Sequence, residues 1–139
     1  MTAQAMTKKT PSYQHHTLDV YGCALYLATT PKQWRAVRRI LPFLDAKAPT
    51  SAGLVHFAIW QPRQGLHEPV AAVYVNLKQH TNRLDLVDTL AHEATHLAQQ
   101  LLHHIGHHPT NGHDEPSAYL VGWLTRWLWG SIDSPLTTP

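Results

Sequence analysis

The segment "TNRLDLVDTLAHEATHLAQQLLHH" (residues 81–104) constrains the fold more than any other part of the chain. Val87, Leu90, Ala94, Leu97 and Leu101 recur at helical spacing, so one stripe of a long helix has to be buried. Asn82 can cap its start, Asp85 follows three residues on, and Gly106 is placed to stop it. A helix with one apolar stripe needs a partner layer, and the residues before it supply candidate strands.

"LDVYGCALYLATT" (18–30) is rich in β-branched and aromatic residues and reads as a strand. In "TPKQWRAVRRILPFL", Thr30 is an N-cap and Pro31 sits at the first helical position. Trp34, Val37, Leu41 and Leu44 form that helix's buried stripe, while Lys32, Arg35, Arg38 and Arg39 form a solvated face; Pro42 ends or kinks it. "GLVHFAIWQP" alternates through Val55, Phe57 and Ile59, and "PVAAVYVNLKQ" through Val73, Val75 and Leu77. The turn-forming link between them predicts an antiparallel hairpin.

After the long helix, "HHPTNGHD" is a loop, and a last helix starts near "EPSAYLVGWLTRWLW". There Leu120, Trp123, Leu124 and Trp127 are expected to pack on the long helix, and Trp129 to be surplus to a core and available to a partner. The order predicts one α+β domain over 17–131, with a loose polar arm at 1–16, a tail at 132–139 and no internal repeat.

The 139 residues suit one core. A formal charge of +2 without a long basic run gives no reason to expect nucleic acid as a partner. The single cysteine, Cys23, precludes an internal disulfide and suits a reducing cytoplasm. The first sixteen residues contain no apolar leader, and "AYLVGWLTRWLWG" is too short to span a bilayer and contains Arg126, so a cytoplasmic protein without a membrane partner is expected.

Within the long helix, His92, Glu93 and His96 form the pattern H-E-x-x-H. Spacing i, i+4 stacks the two imidazoles on one helical face, where they can share a metal. Glu93 leans beside that position and can take a proton from a polarised water. Twelve histidines in the chain raise the odds of a chance match, so the context has to decide. Catalytic zinc takes three protein ligands and leaves one position open. Gln99 and Leu102 stand where the extended motif's glycine and third histidine would be, so the third ligand must come from elsewhere. Glu115, which opens the last helix, is the candidate, and its neighbours His113 and Asp114 compete with it.

H-E-x-x-H followed by a glutamate at the separation of Glu115 resembles the gluzincin group of zinc metallopeptidases. The shape "HEA-x-H … DE-x-x-AY" is more similar still to small bacteriophage-type zincins, over about residues 85–125. The resemblance implies a minimal zincin-like fold: a small antiparallel or mixed sheet packed on the motif helix and on a C-terminal helix bearing the glutamate. It implies one Zn2+ per chain held by His92, His96 and Glu115, with Glu93 as general base and a peptide or protein as substrate. Two neutral imidazoles and one carboxylate leave such a site with a net charge of about +1, suited to polarising a carbonyl. The resemblance further implies that "AAVYVNL" serves as an edge strand for an extended substrate, against its being an ordinary strand.

Tyr119, one turn after Glu115, is a candidate oxyanion donor or a core residue. Asp88, one turn before His92, is either a hydrogen-bond partner of an imidazole or simply exposed. His103, His104, His107 and His108 read as a solvated helix end favoured by the helix dipole, or as an adventitious metal cluster. A non-catalytic zinc-binding accessory protein and an interaction module built on the Trp-rich helix are the competing functions. Glu93 argues against the first, since a structural site has no use for a base.

Overall fold

The computed structural model describes residues 13–108 and 114–132. Strand β1 (Gln14–Leu18) runs antiparallel to β2 (Cys23–Ala28), with Leu18 opposite Cys23. Helix α1 (Pro31–Ile40) follows, then β3 (Gly53–Trp60), β4 (Glu68–Val75), a short 3-10 turn (Leu77–Gln79), α2 (Arg83–His104) and α3 (Glu115–Ser131). The sheet order is β1-β2-β4-β3. The β3–β4 pair is the antiparallel hairpin expected from the turn residues, whereas β2 and β4 pair in parallel, Ala24 opposite Val70. The protein is therefore α+β, with three helices on a four-stranded mixed sheet among the described residues.

Two departures from the sequence reading concern the N-terminal third. The segment 18–30 is not one strand: Leu18 ends β1, and a turn at residues 19–22 separates it from β2. Residues 14–16, assigned to the arm, belong to β1, and residues 1–12 lie outside the described residues. The five residues of β1 are mostly exposed because it is an edge strand, so it carries little of the alternation that marks a half-buried one. At the other end Ile132, expected in the tail, caps α3 and is buried in the core; residues 133–139 are outside the described residues.

Alternation in the central strands sends side chains to two separate cores. Leu25 and Leu27 of β2, with Ala71, Val73 and Val75 of β4, pack under α2 and α3 against Leu90, Ala94, Leu97, Leu101, Leu124 and Leu128. On the other face Val70, Ala72 and Tyr74 meet Trp34, Val37, Leu41 and Leu44, the stripe expected of α1. Thr30 caps α1, its hydroxyl accepting from the Gln33 N–H at 3.1 Å, and the helix stops before Pro42. Lys32, Arg35, Arg38 and Arg39 are exposed, as expected.

Helix α2 starts and ends where the sequence reading placed it. Asn82 accepts from the Asp85 N–H at 3.0 Å. At its other end Gly106 takes φ +79, the His107 N–H donates to Leu102 O at 2.9 Å and the Gly106 N–H to His103 O at 3.0 Å, the two bonds of a Schellman cap. The buried stripe differs by one residue: Val87 is 40% exposed, and Leu86 (0%) takes its place. No helix among the described residues is long and apolar enough to cross a membrane.

Candidate metal centre

Leu90, Ala94, Leu97, Ala98 and Leu101 fix the rotation of α2 about its own axis by facing the sheet. That rotation turns His92 and His96 out to solvent and leaves Glu93 at the margin between the buried stripe and the surface. The His92 and His96 rings meet edge-on, centroids 4.6 Å apart, with their Nε2 atoms 3.0 Å from each other. Two nitrogens bound at about 2.0–2.1 Å to one tetrahedral zinc would be separated by roughly 3.3 Å, so the pair stands close to the required spacing. Both rings point the same nitrogen at one locus, and the donor set fits a borderline-soft divalent ion.

Glu93 is only 6% exposed and lies against Gly53, the first residue of β3. Burial pushes its carboxyl above the ordinary carboxylate range, and the charges of His92 and His96 pull it back down. Among the described residues no hydrogen bond holds this carboxylate, so packing against Gly53 and the attraction of the two imidazoles orient it. A buried carboxylate beside two imidazoles, with its oxygens uncommitted, has the character of a proton acceptor.

The strand carrying Gly53 is one of the sheet's two outer strands, and β4 lies inside, between β2 and β3. This corrects the expected edge role of "AAVYVNL": both sides of β4 are already paired, and the edge strand beside it is β3.

His80 was not singled out from the sequence. It is buried in the link before α2, its Nδ1 2.7 Å from Asn76 O and its Nε2 2.7 Å from Thr89 Oγ1. A carbonyl can only accept, so Nδ1 carries a hydrogen, and the ring ties the chain after β4 to the turn of α2 preceding His92. Its link is aperiodic, and nothing in the spacing marks a histidine there as a clamp.

Glu115 opens α3, just after the N-cap Asp114, whose side chain accepts from the Ser117 N–H. Glu115 and Tyr119 line a groove of about 1010 Å³ against the β1–β2 turn, together with His16, Tyr21 and Trp123; neither His92 nor His96 lines it. Among the described residues no third His, Cys, Asp or Glu joins the two histidines in a metal-sized group, and His113 lies outside those residues. Tyr119 is 77% exposed, which removes it from the core without bringing it to the histidine pair. Asp88 is exposed and shares no hydrogen bond with His92.

Of the last helix's apolar residues, Leu120, Leu124 and Leu128 face the core. Trp127, half-buried, also packs against that core as expected, while Trp123 is 40% exposed; both rings meet His16 of β1, at 6.1 and 5.3 Å, and the Arg83 guanidinium lies over Trp129. Of the histidines after the motif, His103, His104 and His108 are exposed, and His107 pairs with Asp114 at 3.1 Å across the connection to α3. Compared with known proteins, the chain matches no family model, no curated protein and no solved structure.

Proposed function

We propose that this protein is a zincin-like, zinc-dependent metallopeptidase whose working core is His92, Glu93 and His96. The observation that carries the reading is the convergence of two Nε2 atoms at 3.0 Å beside a buried, uncommitted carboxylate. His92 and His96 would hold the ion. The third ligand we assign to Glu115 on motif spacing alone, since the geometry above does not group it with the pair. Zinc in such a site lowers the pKa of a water and polarises a substrate carbonyl.

The protein's own part is then proton handling and alignment. Glu93 accepts the proton of the attacking water and returns it to the leaving nitrogen. Its partly desolvated setting favours the proton-bearing form between those two steps. The open edge of β3 starts at the residue touching Glu93, and an extended peptide pairing along it would bring an amide to the histidine face. The substrate class is thus a peptide or an extended segment of a protein.

A second reading, a zinc-holding accessory protein without turnover, draws on the absence of a third clustered ligand among the described residues. Metal analysis of the purified protein combined with an unbiased peptide-library digest decides between them. Zinc with reproducible cleavage, abolished by a chelator, supports the peptidase; zinc without cleavage of any peptide supports the accessory protein.

A further inference from the structure

Gly53 and Glu93 are forty residues apart in the sequence and touch at the centre of the candidate site. A β-carbon at Gly53 would lie 2.7 Å from Glu93 Oε1, 2.8 Å from its Cγ and 3.0 Å from its Cδ. All three contacts are with one side chain, and real β-carbons essentially never approach heavy atoms so closely.

Neither backbone is free to retreat. Gly53 is held in register opposite Val75, its carbonyl accepts from Ser51 Oγ at 2.8 Å, and the Asn76 N–H donates to the neighbouring Ala52 carbonyl at 2.9 Å. Helix α2 is locked on the other side by Leu90, Ala94 and Leu97, all fully buried. A side chain at position 53 therefore has to displace the glutamate.

We infer that Gly53 is a positioning residue: its missing side chain is the seat in which the Glu93 carboxylate rests beside His92 and His96. The backbone of Gly53 does not need glycine for conformational reasons, because Gly53 is not among the glycines with positive φ (Gly22, Gly65 and Gly106). What requires glycine is the space. With no hydrogen bond holding Glu93 among the described residues, the shape of this seat is part of what fixes the direction of the carboxylate. The catalytic meaning rests on the peptidase reading above; the contact itself does not.

The test is a double-mutant cycle on the metal-free full chain, comparing wild type, Gly53→Ala, Glu93→Ala and the double variant by thermal unfolding. Gly53→Ala should lower Tm by a few degrees in the presence of Glu93. In the Glu93→Ala background it should cost nothing or raise Tm, because the new methyl enters the vacated space. An equal loss in both backgrounds would overturn the inference and leave Gly53 as a residue needed only for close helix–sheet approach.

The functional arm uses zinc titration and peptide cleavage. Gly53→Ala should bind zinc as wild type does, because neither histidine is touched, and should lose about tenfold or more in kcat with KM nearly unchanged, as expected for a misdirected base. Full kcat in a Gly53→Ala protein that shows the coupling would overturn the positioning role. If wild type cleaves no peptide, the peptidase reading fails and the unfolding cycle alone still decides whether Gly53 seats Glu93.

Discussion

His92 Nε2 and His96 Nε2 face one another at 3.0 Å across one turn of α2. Two ring nitrogens that close need something between them. In the neutral pair one ring donates its hydrogen to the other, and if both carry hydrogen they repel. A divalent cation replaces that hydrogen and satisfies both lone pairs at once.

One zinc per chain is therefore expected, with binding lost in the His92→Ala/His96→Ala variant. Elemental analysis of protein grown with zinc supplied gives the stoichiometry. Zinc should also raise Tm of the wild type in a concentration-dependent way and leave the double variant unmoved. A folded wild type without zinc affinity would end the metal-centre reading.

Glu93→Gln should keep the fold and the metal, since the amide fills nearly the same space and Glu93 is not a ligand in this proposal. It cannot accept a proton from water, and the expected loss in kcat is about 10²–10⁴-fold. Zinc content and cleavage rate, measured on one preparation, separate a lost base from a lost metal. A variant as fast as wild type would exclude Glu93 as the base.

Glu115→Ala tests the third ligand. If the carboxylate joins the metal, zinc affinity should fall while His113→Ala leaves it intact. Isothermal titration of both variants gives the ranking. Affinity unchanged by Glu115→Ala would confine Glu115 to the groove it lines with Tyr119 and Trp123.

Cys23 should be unreactive in the native protein. It is fully buried in β2, and desolvation pushes its thiol up to about 12, so almost no thiolate exists at neutral pH. A thiol reagent at pH 8 should label it only after denaturant is added. The sign follows from the raised value: the neutral thiol suits the folded state, so its contribution to stability is intact below the ordinary thiol range. It is lost as the pH rises through that range towards 12. Stoichiometric labelling without denaturant would contradict the burial of β2.

What could be read in advance was what short-range backbone chemistry decides. Thr30 with Pro31, Asn82, and Gly106 mark helix ends because caps satisfy local N–H and C=O groups, and each stands where it was expected. The turn between Trp60 and Glu68 announced the hairpin for the same reason. Strand order is decided by partners far away in the chain, so nothing within "AAVYVNL" reveals that it is flanked on both sides. The burial of Leu86 in place of Val87 is a rotation of a few tens of degrees, set by how α2 lies on the sheet. Whether α3 carries Glu115 towards the histidine pair is likewise a matter of docking between α2 and α3, and sequence spacing does not encode it.

The parallel pairing of β2 with β4 has a consequence for the order of events during synthesis. Ala24, Leu25, Leu27 and Ala28 have their β4 partners, Val70 to Tyr74, beyond the whole of α1 and β3. As the chain emerges from the ribosome, this apolar strand must wait, with one edge unsatisfied, until Glu68–Val75 has been made. Closing so large a loop is paid in entropy before any contact rewards it, which makes the step slow compared with forming α2 or the β3–β4 hairpin. A nascent or truncated chain that stops short of β4 thus presents a hydrophobic strand with one edge open, the other being paired to β1, and aggregation of such fragments is the hazard built into this topology.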